Sequence, residues 1–443
     1  MSHRKPLLII IVFALIVRLG FIVWGFTGWG VLPPGTLSIG YFQQGQELAE
    51  GKGYLLHADD GLIFPQMLHP PGLPLLVAGA IRIFGSPHIP IQVLGAVLDT
   101  LAACLLYWVT ANLLGQRVGL ATGVIYAFYP PIAFASTIAQ IPEGFQALFV
   151  ISTLACALQG ARSPSVRSAL CWFVAAGFLN GLNAYLRPDY MLLPLVLAIG
   201  LWAAMRRFYR PMYGMALALT VTLLMLLPWA YRNYTVCGRW VFTSSSVGGT
   251  LVTGLGEFRN PWGIGQTDED RAKEAKAQGI ASPWLPDADQ YFRRAFWKAV
   301  KERPGSYLLA VIKRIPIAVA APQHFGYKNP LKTGRFSELR AEGQDRYDVL
   351  KSRPFYVIGA YWDYLAMAAI GLAATVCSLI MFCVGVGERG LIFFLLSPHL
   401  YAIGAHILTH FEPRFILPSA GFFLIGLGYV IVGRYGKRCP EGS

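Results

Sequence analysis

The stretch His69–Gly85, HPPGLPLLVAGAIRIFG, decides how this chain is threaded. It is apolar enough to pass for a membrane span and too short to be one. A helix needs roughly 20 apolar residues to cross a bilayer core, and runs of about 10–14 more often lie at the interface or re-enter. If it crossed, every later loop would change sides, and a different set of polar residues would meet.

Composition sets the class. Of 443 residues, 55% are hydrophobic and only 14% charged, against about 25% charged in soluble domains. With a mean hydropathy of +0.49, the chain reads as an all-α polytopic membrane protein. A formal charge of +14 invites a nucleic-acid partner, but no aromatic-basic stripe or basic groove-reading helix accompanies it. Orientation signals and anionic lipid explain positive charge in a membrane protein. Membrane lipids, and no nucleic acid, are therefore the expected partners.

Hydropathy marks ten spans, near residues 6–26, 90–113, 118–136, 143–161, 168–186, 190–205, 211–230, 356–386, 390–408 and 415–434. The first follows a basic SHRKP tail and has no small-residue cleavage site, which reads as a retained span. Between Tyr231 and Pro354 there is none, and 20 of the 37 Lys and Arg residues fall in that polar segment. The positive-inside rule, applied to the short loops, then judges the opening stretch. If 72–84 does not cross, the cytoplasmic pieces carry Arg4/Lys5, Arg117, Arg162/Arg167, Arg206/Arg207/Arg210, Arg389 and Arg434/Lys437/Arg438. The short outer loops then hold only Arg187 and Arg414. If it crosses, every basic loop from Arg117 onward faces outward. The expectation is the non-crossing threading: both termini cytoplasmic, an outer loop over 27–89 and a second over 231–355. Of seven cysteines only Cys237 falls in an outer loop, so a disulfide there has no partner, and no CxxC or Cys/His metal spacing occurs. Asn233-Tyr234-Thr235 fits a glycosylation sequon but abuts a span end and is read as chance.

With this threading the suggestive polar residues share one side: Glu47, Glu50, Asp59, Asp60, His69, Glu143, Arg187, Asp189, Glu257, His410, Glu412 and Arg414. Several sit beside proline at helix ends, where proline tolerates its missing donor and a first-turn carboxylate is favoured by the helix dipole. Taken singly, Glu143 and Asp189 read as ordinary capping acids; collected on one face with Arg187 and Arg414, they read as a site. A carboxylate there suits a general base for an acceptor hydroxyl or amine. Arginines suit a phosphate, because the guanidinium fork matches its oxygens. A flat apolar helix beside them suits a lipid tail. The chemistry implied is transfer from a lipid-phosphate donor to an acceptor outside the cytoplasm.

The chain resembles the GT-C glycosyltransferases that use polyprenyl-phosphate sugars, the grouping of protein O-mannosyltransferases and aminoarabinose transferases (glycosyltransferase family 39-like). The residues that carry the resemblance begin with Tyr41…Leu48-Ala49-Glu50-Gly51-Lys52-Gly53-Tyr54 and His69-Pro70-Pro71-Gly72. Phe84-Gly85, Leu114-Gly115-Gln116-Arg117, Tyr129-Pro130-Pro131, Glu143 and Leu186-Arg187-Pro188-Asp189 follow. Leu227-Pro228-Trp229, Arg232-Asn233-Tyr234, Gly238-Arg239 and Pro413-Arg414-Phe415-Ile416-Leu417-Pro418 complete the set. Each motif is loose; their order and spacing are specific, over about 1–260 and 405–434. The resemblance implies a GT-C-like bundle of about ten transmembrane helices. Its N-terminal catalytic module would be 1–230, with a juxtamembrane helix at 71–84 on the outer face. An outer loop with membrane-lying helices, 231–355, and C-terminal spans with a short cytoplasmic tail, 356–443, would follow. It implies a bacterial inner-membrane glycosyltransferase that moves a sugar from a polyprenyl-phosphate donor to a lipid, glycan or protein acceptor, with inversion where the acceptor attacks the anomeric carbon directly.

One departure matters. The family carries an acid just before the position of Tyr41, taken as its catalytic base, and here Leu37-Ser38-Ile39-Gly40 has none. Glu143, at the family's second acidic position, is the first candidate for the base, with Asp59, Asp60 or Glu47 as substitutes. Asp59-Asp60-Gly61 also reads as a solvated turn. Tyr41, His69, Arg187, Asp189, Glu257 and Arg414 are the substrate-binding candidates; against this, His69 fits a helix cap and Arg187 a snorkelling span end. His406 and His410, spaced i, i+4, would share a helix face and permit metal ligation. With no third ligand evident, no metal and no cofactor is expected, although a divalent metal is compatible. Gly248-Gly249 after Ser244-Ser245-Ser246 reads as a turn or a close approach to phosphate. Thr267–Gly279 reads as a charged, mobile stretch, and 288–301 and 305–321 as helices. Arg18 and Asp99 fall inside spans, roughly 12–14 Å below the outer surface, where ionisable residues need partners; they are expected to pair. Two other readings compete: an inactive binder of the lipid-linked sugar, and a secondary transporter or flippase. The latter expects broken midplane helices in matching halves, which are not seen.

Overall fold

Long apolar runs become helices because lipid offers backbone groups no partner. The computed structural model, which describes residues 3–27, 39–57, 61–206, 209–265, 267–321, 354–385 and 388–436, is accordingly almost all helix. Helix α1 is Arg4–Thr27, α2 Ile39–Ala49, α3 Gly72–Phe84, α4 His88–Leu114 and α5 Gln116–Ala127. After these come α6 Pro130–Phe134, α7 Pro142–Arg162, α8 Val166–Leu186, α9 Leu193–Met205 and α10 Tyr209–Cys237. The segment that follows holds α11 Val247–Gly256, α12 Asp268–Ala277, α13 Pro286–Glu302 and α14 Pro304–Ala320. Helices α15 Pro354–Val384, α16 Arg389–Leu408 and α17 Ala420–Gly436 close the chain. A small antiparallel hairpin, β1 Leu55–His57 with β2 Ile63–Pro65, pairs Leu56 with Phe64.

Among the described residues nine helical segments are long and apolar enough to cross a membrane, and a bent pair supplies a tenth. Helix α3 is outside this set. Its 13 residues reach about 20 Å at 1.5 Å each, short of a bilayer core. It ends at Gly85 in the left-handed conformation, φ 75°, and packs on α2, α4 and α8.

The expected span 118–136 is broken instead: Gln116–Ala127 and Pro130–Ala139 meet at 52°. Pro130 and Pro131 cannot donate to the preceding turn, and Tyr129 before them takes the extended conformation, φ −74° and ψ 106°, as a residue preceding proline must. A π-helical turn, Ala135–Ala139, follows and closes at Gln140 with φ 51°. Helix α10 also departs from expectation. It continues past 230 to Cys237 with Pro228 inside it, so Cys237 closes a helix, its thiol toward the Asn233 carbonyl at 3.0 Å.

The stretch 267–279, expected to be mobile, is helical over α12. Thr267 Oγ1 accepts the Asp270 N–H and the Asp270 carboxylate accepts the Thr267 N–H, each at 3.1 Å. This reciprocal cap satisfies two donors of the first turn. Gly248 and Gly249 lie inside α11 rather than in a turn. A side chain at Gly248 would run into the backbone of α13 at Asp289. Val252, Leu255, Ala275, Ala288, Phe292 and Phe296 join α11, α12 and α13 around a small apolar core. The larger core lies within the bundle, from Ile10, Leu106 and Tyr126 to Leu197, Phe394 and Phe422.

The ionisable pair inside the bundle forms as expected. Arg18 Nε and Nη2 donate to Asp99 Oδ2 at 2.9 and 2.7 Å, and the Tyr126 hydroxyl donates to Asp99 Oδ1 at 2.7 Å. Arg18 Nη1 donates to the Ala127 carbonyl at the bend.

Candidate functional site

Chain alternation brings one set of helix ends together: the start of α7, the end of α8, the end of α16 and the link that follows it. With α2, the segment before α3, and α11 and α12, they enclose a cavity of about 600 Å³. Tyr41, His69, Glu143, Arg187, Asp189 and Arg414 all line it. Glu257 stands behind its wall, in contact with His410, which does line it. Of the remaining expected residues, Asp59 and Asp60 lie outside the described residues. Glu47 does not line the cavity; its Oε1 is 2.5 Å from His57 Nε2.

The local sequence explains each placement. Ile141 is extended before Pro142, which starts α7 and puts Glu143 in the first turn, as expected. Gly144 is required because a side chain there would run into the Ala135 backbone of the π turn. Arg187 leaves α8 in an extended conformation, φ −161°, and Pro188 starts the short 3₁₀ turn that carries Asp189. Gly72 serves the same corner. A side chain on it would meet the Tyr185 carbonyl, so the HPPG sequence lets α3 abut α8 beside Arg187.

At the centre, Glu143 is 1% exposed and Arg187 Nη1 donates to its Oε1. Arg414 Nε approaches the same oxygen at 3.7 Å. Arg187 Nε also donates to Asp189 Oδ2 at 2.6 Å, and Arg414 Nε reaches Glu412 Oε2 at 2.6 Å. Both guanidinium groups lie near the Phe415 ring, 4.2 and 5.4 Å from its centroid, where the ring face favours a cation. Burial opposes the Arg187 charge, but Asp189 and Glu143 more than offset it and push its pKa up.

The aromatic side of the cavity is neutral. The Tyr41 and His69 rings lie 5.2 Å apart, tilted by 36°. Burial pushes the Tyr41 hydroxyl up to about 12. Burial, then Arg187 and Arg414, push His69 down to about 3, so its imidazole is uncharged at neutral pH. It does not cap α3, whose N-cap is Pro71; its carbonyl accepts from the Tyr54 hydroxyl at 3.0 Å, and the residue lines the cavity.

His406 and His410 do not share a helix face. Helix α16 ends at Leu408, so His410 lies beyond it and turns to Glu257 and Glu412. His406 Nε2 instead stands 4.0 Å from Asp189 Oδ2. Among the described residues no three His, Cys, Asp or Glu side chains are grouped to hold a metal ion.

Of the cavity's other wall, sequence reasoning singled out only the Ser244–Ser246 stretch. Ser246, Thr250 and Thr253 come from α11 and its cap, and Arg271 and Asp268 from α12, with Trp284 alongside. Arg271 lies over the Trp284 ring at 4.8 Å, and its Nε is buried without a hydrogen-bond partner. For α12 the advance signal was Thr267-x-x-Asp270, a helix-start pattern in a stretch that otherwise reads as polar.

Helices packed around a cavity at one end of a membrane bundle define the class: this is a membrane protein of the GT-C fold. The apo crystal structure of an oligosaccharyltransferase from Archaeoglobus fulgidus has that likeness, with a TM-score of 0.54 at 15% identity over 98% of this chain and 51% of that one. Residues 68–231 match the family model described as dolichyl-phosphate-mannose-protein mannosyltransferase. The chain spans about half the length of the archaeal enzyme. ArnT from Cupriavidus metallidurans, in a crystal structure bound to undecaprenyl phosphate, aligns with a TM-score of 0.40 and 16% identity, over 98% of this chain and 79% of that one. No curated protein sequence matches the chain.

Proposed function

We propose that this protein transfers a sugar from a polyprenyl-phosphate donor to a lipid, glycan or protein acceptor at the outer face of a bacterial inner membrane. The observation that carries the reading is the convergence of Arg187 and Arg414 on one buried carboxylate at the cavity wall, beside the short helix α3. Guanidinium forks match phosphate oxygens, and charge-assisted bonds of this kind are the strong ones. The match of residues 68–231 to that family model supports the donor class. The charge pattern supports the side: the cavity lies at the helix ends opposite those carrying Arg4, Arg117, Arg162, Arg210 and Arg389.

In this reading the arginines hold the phosphate through which the sugar is attached. They neutralise it as it leaves, while the acceptor attacks the anomeric carbon from the other side and inverts it. Tyr41 and neutral His69 present a polar, uncharged wall to the sugar. Glu143 was the expected base. We assign it instead to spacing the two arginines, because it is 1% exposed and its free oxygen, Oε2, is sealed from the cavity.

The test incubates the purified protein with a panel of polyprenyl-phosphate sugars and a membrane extract. Sugar transfer is the expected result. In parallel, Arg187→Lys and Arg414→Ala are each expected to weaken donor binding about 10- to 100-fold, the worth of one charge-assisted hydrogen bond of about 1.5–3 kcal/mol. Donor binding without turnover would make the protein a binder of the lipid-linked sugar. Unchanged binding in both variants would remove the phosphate site from these arginines.

A further inference from the structure

A second charged cluster meets the cavity where α16 ends. His410 Nδ1 faces Glu257 Oε1, which also accepts the Phe411 N–H at 2.8 Å. Glu257 Oε2 accepts from Arg314 Nε at 2.5 Å. Arg314 is 1% exposed, and its other nitrogens donate to the carbonyls of Ile407 and Gly254. Glu257, directly after α11, is therefore held by two further elements: α14 and the link after α16. On the other edge of the imidazole, Nε2 lies 3.2 Å from Glu412 Oε1, and Glu412 in turn meets Arg414. His410, Glu412 and Arg414 all line the cavity.

The geometry points to His410 as the general base of the transfer, its Nε2 taking the proton of the acceptor hydroxyl, with Glu257 as its positioning residue. This rests on the sugar-transfer reading above. An ionised carboxylate only accepts hydrogen bonds, so the close, enclosed Glu257 holds the proton on Nδ1, while Nε2, 3.2 Å from the more exposed Glu412, is the nitrogen that gives up its proton first and becomes the basic one. Burial works against the Glu257 charge, but His410 and Arg314 hold its carboxyl below the usual range. Both His410 and Glu143 line the cavity, but the His410 side chain is 15% exposed and that of Glu143 1%.

In the step, the acceptor O–H bond breaks and its proton passes to Nε2 as the oxygen bonds to the anomeric carbon. The bond from that carbon to the phosphate oxygen breaks, and its electron pair leaves on the polyprenyl phosphate, held by Arg187 and Arg414. The imidazolium formed lies between two carboxylates. Burial opposes that charge, but Glu257 and Glu412 raise the His410 pKa above its ordinary value, which keeps it a competent base near neutral pH. The charged and titratable groups facing it among the described residues are Glu257 from α11, Arg314 from α14, His406 from α16, and Glu412 and Arg414 beyond it.

A cluster that merely pinned the segment 409–412 would change stability and leave the pH profile alone. The experiment therefore reads both protonation and rate on the full chain in lipid nanodiscs. Histidine NMR, with His410 assigned by His410→Gln, follows the imidazole across neutral pH in wild type, Glu257→Gln and Glu412→Gln. Transfer from the polyprenyl-phosphate sugar panel to membrane extract is measured over the same range. The expected result is an acid limb in kcat/KM at the His410 pKa, moving to lower pH in both carboxylate variants by the amount the NMR titration moves. Glu412→Gln, at the exposed edge, serves where Glu257→Gln fails to fold. His410→Gln is expected to lose the limb and about 10²–10⁴-fold in kcat. A rate that is flat through the His410 titration, or a limb that stays put while the titration moves, overturns the assignment and leaves the transferase reading standing. Absence of turnover with every donor at every pH overturns that reading and this assignment with it.

Discussion

Arg18 and Asp99 are 81 positions apart, and each would be costly alone inside a span. Their carboxylate–guanidinium contact is closed by Tyr126 and the Ala127 carbonyl, so the charges and their hydrogen bonds are satisfied together. The pair was legible in the sequence because both residues fall at one depth. Its link to the bend was not, since a carbonyl freed by a helix break leaves no trace in composition. Removing one partner of such a pair strands a buried charge, which costs about 3–5 kcal/mol. Arg18→Ala and Asp99→Ala are each expected to lose about that much in thermal unfolding in detergent, and the double variant less than the sum of the two. Two single variants of unchanged stability would refute the coupling.

At the scale of elements, the site depends on close crossings rather than on long helices. The π turn lies under the first turn of α7, and Gly144 allows the contact. Gly144→Ala pushes its methyl group into the Ala135 backbone, which calls for about 1–3 kcal/mol of overpacking strain and displaces Glu143 from between its arginines. Lower thermal stability together with weaker donor binding is expected; loss of stability alone would separate the π turn from the site. Helix α3 was readable as a short element from its length. That it abuts α8 through Gly72 was not, because the partner is a backbone carbonyl more than a hundred residues away.

For the whole molecule, the cavity closes only when the segment 231–321 folds back over the bundle. Arg271 and Trp284 come from that segment, and the arginines facing Glu143 come from the bundle. The two walls are therefore expected to separate kinetically. Arg271→Ala and Trp284→Ala should raise the acceptor KM about 3- to 30-fold, the worth of a partly desolvated cation–π contact of about 0.5–2 kcal/mol. Donor affinity should hold. A change in donor affinity instead of acceptor KM would place both substrates on one wall. The α12 part of that wall was invisible in the sequence because α12 buries only Ala275 and Arg271 and is stabilised by its cap and its partners, not by an apolar stripe.

The amino-acid sequence by itself determined the class, the number of spans to within the broken one, the shortness of α3 and the clustering of polar residues at one set of helix ends. These follow from local quantities: apolar run length, charge in short loops and proline at helix starts. Only the tertiary structure decided which of those residues touch. Glu257 and His410 are 153 positions apart and meet because Arg314, on a third element, holds the carboxylate in place. Glu143 read as a capping acid or a base and is enclosed by Arg187 and Arg414 from two distant loops. Burial and charge pairing depend on elements far apart in the chain, so a residue's type and position reveal its candidacy, and its neighbours in space decide its role.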